Sequence, residues 1–314
     1  MVKLNSYILT SPHTGIYFGI VGGSASSEFS ATRGIFAGGT SGAPICNRDV
    51  LDYITIDSTG NATDFGNMSV ARQAVAGVSS QSRGVICGGY QDSGDTDTMD
   101  YITIASTGNA TDFGNLTIAR YVATAVHSET RGLITGGGGS SGNITVDYIT
   151  IDTTGNASDF GDMTTAKRGS ADVESLTRGI FGGGAPDGVS TDMDYFTIDT
   201  PSNATDFGDL TTARWVFAGL SSTTRGVFAG GSGYNIMDYV TIDTTGNASD
   251  FGDLSGNRHW LAGLSSTTRG VWGGGTVTPM TNIMEYITID TTGNVTDFGD
   301  LTVTRQGLGG IQGS

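Results

Sequence analysis

A cassette of about 47 residues recurs six times along the chain, and this repetition constrains the fold more than any local propensity does. From Arg214 it reads R-W-V-F-A-G-L-S-S-T-T-R-G-V-F-A-G-G, then a variable loop, then M-D-Y-V-T-I-D-T-T-G-N-A-S-D-F-G-D-L. R-G dipeptides begin at Arg33, Arg83, Arg131, Arg178, Arg225 and Arg269. Y-x-T tripeptides begin at Tyr53, Tyr101, Tyr148, Tyr195, Tyr239 and Tyr286, and D-F-G triplets place Phe65, Phe113, Phe160, Phe207, Phe251 and Phe298. A unit of this length buries its apolar face only against its neighbours, so the chain must build an array of like modules.

Three of the four internal spacings do not vary. Tyrosine to phenylalanine is always 12 residues (Tyr53 to Phe65), and phenylalanine to the next basic residue always 7 (Phe65 to Arg72), with Lys167 taking that place once. That basic residue to the R-G arginine is always 11 (Arg72 to Arg83). Only the stretch from the glycine pair to the tyrosine changes, from 14 (Gly39 to Tyr53) down to 8 (Gly231 to Tyr239). Fixed spacing marks turns that carry structure, and variable spacing marks a solvent-facing loop where insertions cost little.

Within the cassette, β-branched and aromatic runs are bounded by Gly, Ser, Asn and Asp, the composition of short strands. Ile54 and Ile56 alternate with Tyr53 and Thr55, a two-residue period. The T-T-G-N run supplies the residues a tight hairpin needs, and no window shows a helical apolar stripe. In the second cassette the pattern predicts strands a (around 74–78), b (84–87), c (100–104) and d (around 110–116).

A hydrophobic strand ending in Gly-Gly, a tyrosine after a variable loop, an aromatic a dozen residues later and an arginine opening the next unit resemble Kelch repeats. The likeness runs from about Gly15 to Arg305, with Phe of D-F-G where Kelch units usually carry tryptophan. The wording R-G-V-F-x-G-G and Y-I-T-I-D-T-T-G-N-A-T-D-F-G-D-L is also similar to propeller-like virion proteins of bacteriophages of marine cyanobacteria. The resemblance implies an all-β fold: a Kelch-like six-bladed β-propeller of four-stranded antiparallel blades, its ring closed by a terminal strand. Repeats are expected near 33–82, 83–130, 131–177, 178–224, 225–268 and 269–314, with 31–314 as the propeller and 1–30 as an N-terminal arm or strand.

Two segments compete to close that ring. Residues 305–310 copy strand a without a strand b after them, and residues 15–20 are an imperfect strand a. The register kept by Arg305 favours the C-terminal copy as the partner of residues 34–37. A spare strand would then be left to pair with a neighbouring subunit.

The net charge of −16 argues against nucleic acid as a partner, because phosphate neutralisation needs clustered Lys and Arg. Thirteen of the 15 basic residues occupy the two recurring positions or lie beside one (Arg168), and each is expected to pair with a recurring acid. The candidates are the D-F-G aspartate and the acid before the tyrosine: Asp52, Asp100, Asp147, Asp194, Asp238 and Glu285. Cys46 and Cys87 stand in unlike settings, which makes a bridge between them an outside expectation. No signal-peptide core and no transmembrane run is evident, so membrane insertion is not expected.

Chemistry is sparse. His13, His127 and His259 are the only neutral-pH bases and lie at unlike cassette positions, so no catalytic residues, metal site or cofactor are expected. The run from Asp243 to Asp250 spaces oxygens that suit either calcium or a self-bonded hairpin turn; its repetition favours the turn. The Gly-Gly pairs lack the Lys-Ser/Thr of a phosphate loop and are expected to serve close packing.

What does not repeat lies in the b–c loops and beside the d–a turns, which share one face of a propeller. Tyr90, Asp92, Asp95 and Asp97 stand in the second blade, Asp187 and Asp192 in the fourth and Tyr234 in the fifth. Tyr121, Trp215, His259 and Trp260 open strand a where other blades have Gln73 or Gly169. Aromatics beside carboxylates suit sugar recognition, since a flat ring covers a sugar's C–H face. The plainer reading is that Trp215 and Trp260 fill space between blades. Tyr90, Asp92, Asp95, Asp97, Tyr121, Trp215, Tyr234 and Trp260 form the candidate ligand set.

The expected function is that of a non-enzymatic structural and binding module. With the phage resemblance it becomes a virion component of a tail, fibre or appendage, with copies of itself, other virion proteins and host-surface glycan as partners. The alternatives are a bacterial extracellular adhesin or lectin-like filament subunit and, third, a Kelch-fold enzyme.

Overall fold

The computed structural model describes residues 32–41, 46–138, 142–185, 189–276 and 279–313. The N-terminal arm, residues 15–20, His13 and Asp187 lie outside the described residues. Six four-stranded antiparallel sheets form the six blades of a β-propeller, and the described residues contain no helix. In blade 2 the strands, from the axis outward, are a (Ala76–Ser79), b (Arg83–Cys87), c (Thr98–Thr103) and d (Thr111–Asn115). Blades 3 to 6 repeat this order from Thr124, Ala171, Ala218 and Ala262. The inner strands contact one another in a closed ring around the axis.

Blade 1 takes its inner strand from the far end of the chain. Gly309–Gly313 pairs antiparallel with Arg33–Ala37, Ile35 opposite Ile311, so the C-terminal copy fills the closing slot. Strand a begins two residues later than the spacing predicts, because Ala74 has φ +53° and breaks the extended backbone. The b–c loops hold two further short hairpins, Thr40–Ser41 with Cys46–Asn47 and Tyr90–Gln91 with Gly94–Asp95.

The core is divided into six like parcels, each shared by two blades. Between blades 1 and 2, for example, Ile35, Leu51 and Phe65 pack against Ile86, Ile102 and Ile104. The invariant spacing of 12 sets Tyr53 edge-on to Phe65, ring centroids 6.1 Å apart, and the same pair recurs in every blade. The glycine of D-F-G explains itself at Gly66: φ is +147°, and a Cβ there would collide with the Gly108 carbonyl of the next blade. That approach lets the c–d turn of blade 2 sit on the outer strand of blade 1, where Asn109 Oδ1 accepts from the Asn67 N–H at 3.1 Å.

The two families of basic residues turn out to be inter-blade staples of different kinds. The d–a basic residue is buried and ion-paired with the acid before the tyrosine: Arg72 with Asp100 (2.7 Å), Arg120 with Asp147 (3.2 Å) and Lys167 with Asp194 (3.2 Å). Arg214 with Asp238, Arg258 with Glu285 and Arg305 with Asp52 complete the set. Arg305 reaches from the end of blade 6 into blade 1, where it also donates to the Gly38, Val50 and Phe36 carbonyls. Burial lowers the pKa of these guanidiniums, Arg214 to about 10, against the opposing pull of Asp238.

The R-G arginines correct the expectation that every basic residue meets an acid. Each lies over the tyrosine of its own blade, as Arg83 does over Tyr101 at 4.6 Å, and donates to a carbonyl of the next blade, Ile151 in this case. Asp100 and Tyr101 are adjacent in strand c and point to opposite faces, so one arginine takes the carboxylate and the other takes the ring.

Candidate functional site

The loop face, built from b–c loops and d–a connections, is organised by a kink at the start of every inner strand. Ala74, Val122, Val216 and Trp260 have φ between +51° and +60°, and Gly169 and Gly307 occupy the equivalent places with φ +63° and +66°. A left-handed backbone is costly for β-branched valine, so something must hold it there. A closed ring of six backbone hydrogen bonds does so. Each N–H donates to the carbonyl of its counterpart in the preceding blade, from Val122 to Ala74 (3.0 Å) around to Ala74 itself donating to Gly307 (2.7 Å). Ala74, Val122 and Val216 then cluster at the axial mouth with Tyr121, Trp215 and Trp260 packed beside them.

The kink sets out the residue before it on the loop face: Gln73, Tyr121, Arg168, Trp215, His259 and Gln306 in successive blades. Four of the eight candidate residues thereby join one arc. Tyr90 stacks at a tilt on Tyr121 (centroids 5.6 Å), and Trp215 meets Trp260 edge-on at 6.2 Å. Arg168 links the two pairs, donating from Nη1 to Tyr121 Oη at 3.3 Å and lying over Trp215 at 5.6 Å. Burial lowers the His259 pKa beside this arc.

The other four stand apart from it. Asp92 accepts from Asn47 Nδ2 at 3.0 Å, tying the loops of blades 1 and 2 together. Asp95 pairs with Tyr90 in the short hairpin, and burial raises its pKa. The Asp97 carbonyl accepts from Leu116 N–H, which anchors the loop to the d–a connection. Tyr234 is exposed, with its carbonyl accepting from Arg258 N–H. Asp192, also exposed, offers its carbonyl to Lys167 Nζ at 3.0 Å.

In four blades the first aspartate of the repeated turn has a protein partner. Asp57, Asp152, Asp199 and Asp290 accept from Ser266, Ser80, Ser128 and Ser222 of neighbouring blades, and its asparagines hold outer strands. Both cysteines are free, Cys46 exposed and Cys87 buried, and burial pushes the Cys87 thiol up to about 12.

At the opposite mouth of the axis, the last residues of the inner strands form a polar ring: Ser79, His127, Glu174, Ser221, Ser265 and Gln312. It lines a cavity of about 70 Å³. Side chains here accept from the preceding inner strand's backbone, as Ser221 Oγ does from Glu174 N–H at 2.8 Å. His127 Nε2 lies 2.9 Å from Glu174 and 3.3 Å from Ser79 Oγ. Both contacts fall on the same ring nitrogen. One layer deeper stands Asp172, where four blades have Gly77, Gly219, Gly263 and Gly310.

In the sequence Arg168 stands out only as a basic residue beside a recurring position and His127 only as an isolated base, while Asp172, Glu174 and the rest of the axial ring pass as parts of short strands. Their signal was a departure from the repeat at the inner strand's alternate positions, with Ser170, Asp172 and Glu174 all in blade 4.

Burial raises the pKa of Asp172 well above the ordinary value, and the Glu174 charge adds to it. Burial alone would lower His127, but the Glu174 carboxylate outweighs it and the net shift is upward. Both groups are raised in the folded state, so each contributes stability below its unfolded value that is lost as pH rises through the folded value. Asp172→Asn is therefore expected to raise the melting temperature at pH 8, with the advantage gone near pH 3, below the unfolded carboxylate value of about 3.9. Thermal melts of both proteins across that range check it; a constant difference would mean that charge is not the cause.

The class these features define is a six-bladed β-propeller with an aromatic loop face and a polar axial mouth opposite. No protein-family model and no curated protein matches the chain.

Proposed function

We propose that this propeller is a non-enzymatic structural and binding module. It serves as a Kelch-like virion component of a phage tail, fibre or appendage, assembles with copies of itself or other virion proteins, and turns its loop face to host-surface glycan. The observation that carries the binding part is the asymmetry of the two faces. Seven large apolar side chains exposed among the described residues lie on the loop side: Val70, Tyr90, Ile118, Ile144, Val189, Tyr234 and Ile283. Leu176 alone is exposed in this way on the other side, where the turns carry aspartates. Apolar surface gathered on one face favours contact with a partner. The aromatic arc supports glycan in particular, and the phage assignment rests on the wording of the cassette.

Electron microscopy of the purified protein beside its source particles tests the reading. The expected result is propellers seated in a symmetric tail, fibre or filament with the loop face at a contact or at the outer surface. Isolated monomers, with no propeller density in any particle, would overturn it.

A further inference from the structure

We propose that the aromatic arc binds an acidic saccharide and that Arg168 receives its carboxylate. This deepens the glycan reading above and rests on it. The argument begins with the repeat. The d–a basic residues spend their charge on buried carboxylates, and the R-G arginines spend theirs on a tyrosine and a carbonyl. Arg168 belongs to neither pattern, for its position holds Gln73, Tyr121, Trp215, His259 and Gln306 in the other blades.

Among the described residues no carboxylate lies within ion-pair distance of Arg168. Its guanidinium is held by Tyr121 Oη and the Trp215 ring, and its Nε is buried without a hydrogen-bond partner. A guanidinium carries five donors in a planar fork that matches a carboxylate. In a chain of net charge −16, a cation that meets no carboxylate among the described residues and is held between aromatic rings is prepared for an anion from outside.

The neighbours decide which anion. Tyr121 and Trp215 are half-buried on either side of Arg168, each backed by a second ring, Tyr90 and Trp260. A ring face covers the C–H face of a pyranose, while the guanidinium takes a carboxylate on the same sugar. A polyanion such as nucleic acid would meet the overall negative field with few cations on this face to offset it. The shared chemistry is thus a hexose-sized ring bearing one carboxylate, as in uronic and sialic acids.

The test is calorimetric titration of the full chain with trigalacturonate, with sialyllactose and with neutral lactose. The expected result is saturable binding of at least one acidic sugar, with lactose at least about 10-fold weaker, the size of a charge-assisted pair. Arg168→Gln should weaken the acidic sugar by about 10- to 100-fold more than it weakens lactose, and Arg168→Lys should recover only part. Trp215→Phe should weaken acidic and neutral sugars alike, and thermal melts establish that each variant is folded. Which acidic sugar binds separates the uronic from the sialic source. Equal binding of acidic and neutral sugar, unmoved by Arg168→Gln, would overturn the carboxylate role and leave a glycan face. Failure of all three sugars to bind the folded protein would overturn the inference, while the assembly reading is judged separately by microscopy.

Discussion

A chain lacking residues 306–314 is expected to lose its cooperative thermal transition and to bind a hydrophobic dye in the cold. The deletion removes the inner strand of blade 1 and exposes the backbone edge of Arg33–Ala37, whose Ile35, Phe36 and Ala37 are fully buried. It also strips Leu308 and Ile311 from the cores on either side of that blade. Truncating one such side chain alone costs about 2–5 kcal/mol. The ring of backbone bonds at the axis opens as well, since Gly307 donates to Trp260 and accepts from Ala74. Together these losses rival the whole margin of a typical domain, about 5–15 kcal/mol. A synthetic peptide of residues 306–314 added in trans should restore the transition. If the shortened chain melts within a few degrees of the intact one, another segment closes the ring and the pairing with Arg33–Ala37 is dispensable.

The second large effect is expected from Asp238→Ala, at about 3–5 kcal/mol by denaturant unfolding. Arg214 is buried against Asp238 at 2.9 Å and also donates to the Gly230, Ile236 and Phe228 carbonyls. Without the carboxylate, a desolvated guanidinium remains with no counter-charge, and Thr211 Oγ1 loses its acceptor. Replacing both partners together, as Arg214→Met with Asp238→Leu, should cost much less than the single change. The reason is visible in the native pair: Arg214 Nε is buried without a hydrogen bond, as are those of Arg72, Arg258 and Arg305. Burying the charges is expensive, and breaking them apart is worse. A loss below about 1 kcal/mol, the value of an exposed pair, would show that water reaches the site.

Much of the fold could be read from spacing because contacts between blades leave no slack. The interval from Tyr53 to Phe65 is constant since those rings touch, and Arg72 to Arg83 is constant since both ends are staples. The partner of each arginine was harder to read. An acid and a tyrosine stand side by side in strand c, and only the alternation of a strand in three dimensions shows which arginine meets which. The site was half legible. Tyr90, Tyr121, Trp215 and Trp260 were marked by their departure from the repeat, but their union depends on Arg168 and on a left-handed kink at Ala74, Val122, Val216 and Trp260. No residue preference announces that kink, because the ring of bonds imposes it on alanine, valine and tryptophan alike.

Both staples join every blade to its neighbour from equivalent positions, and this bears on how such a chain can change over generations. Exchange of one cassette for another by recombination yields junctions that already fit, because the carboxylate, the tyrosine and the turn asparagine are where the incoming arms expect them. Gain or loss of a cassette meets a different obstacle. The inner strands approach so closely at Gly219 and Gly263 that a Cβ there would collide with the neighbouring carbonyl, so the fit between these blades is set for the present curvature. Variation is thereby channelled into the b–c loops and the residue before each kink, where one blade can acquire a new specificity without renegotiating its fit with the others.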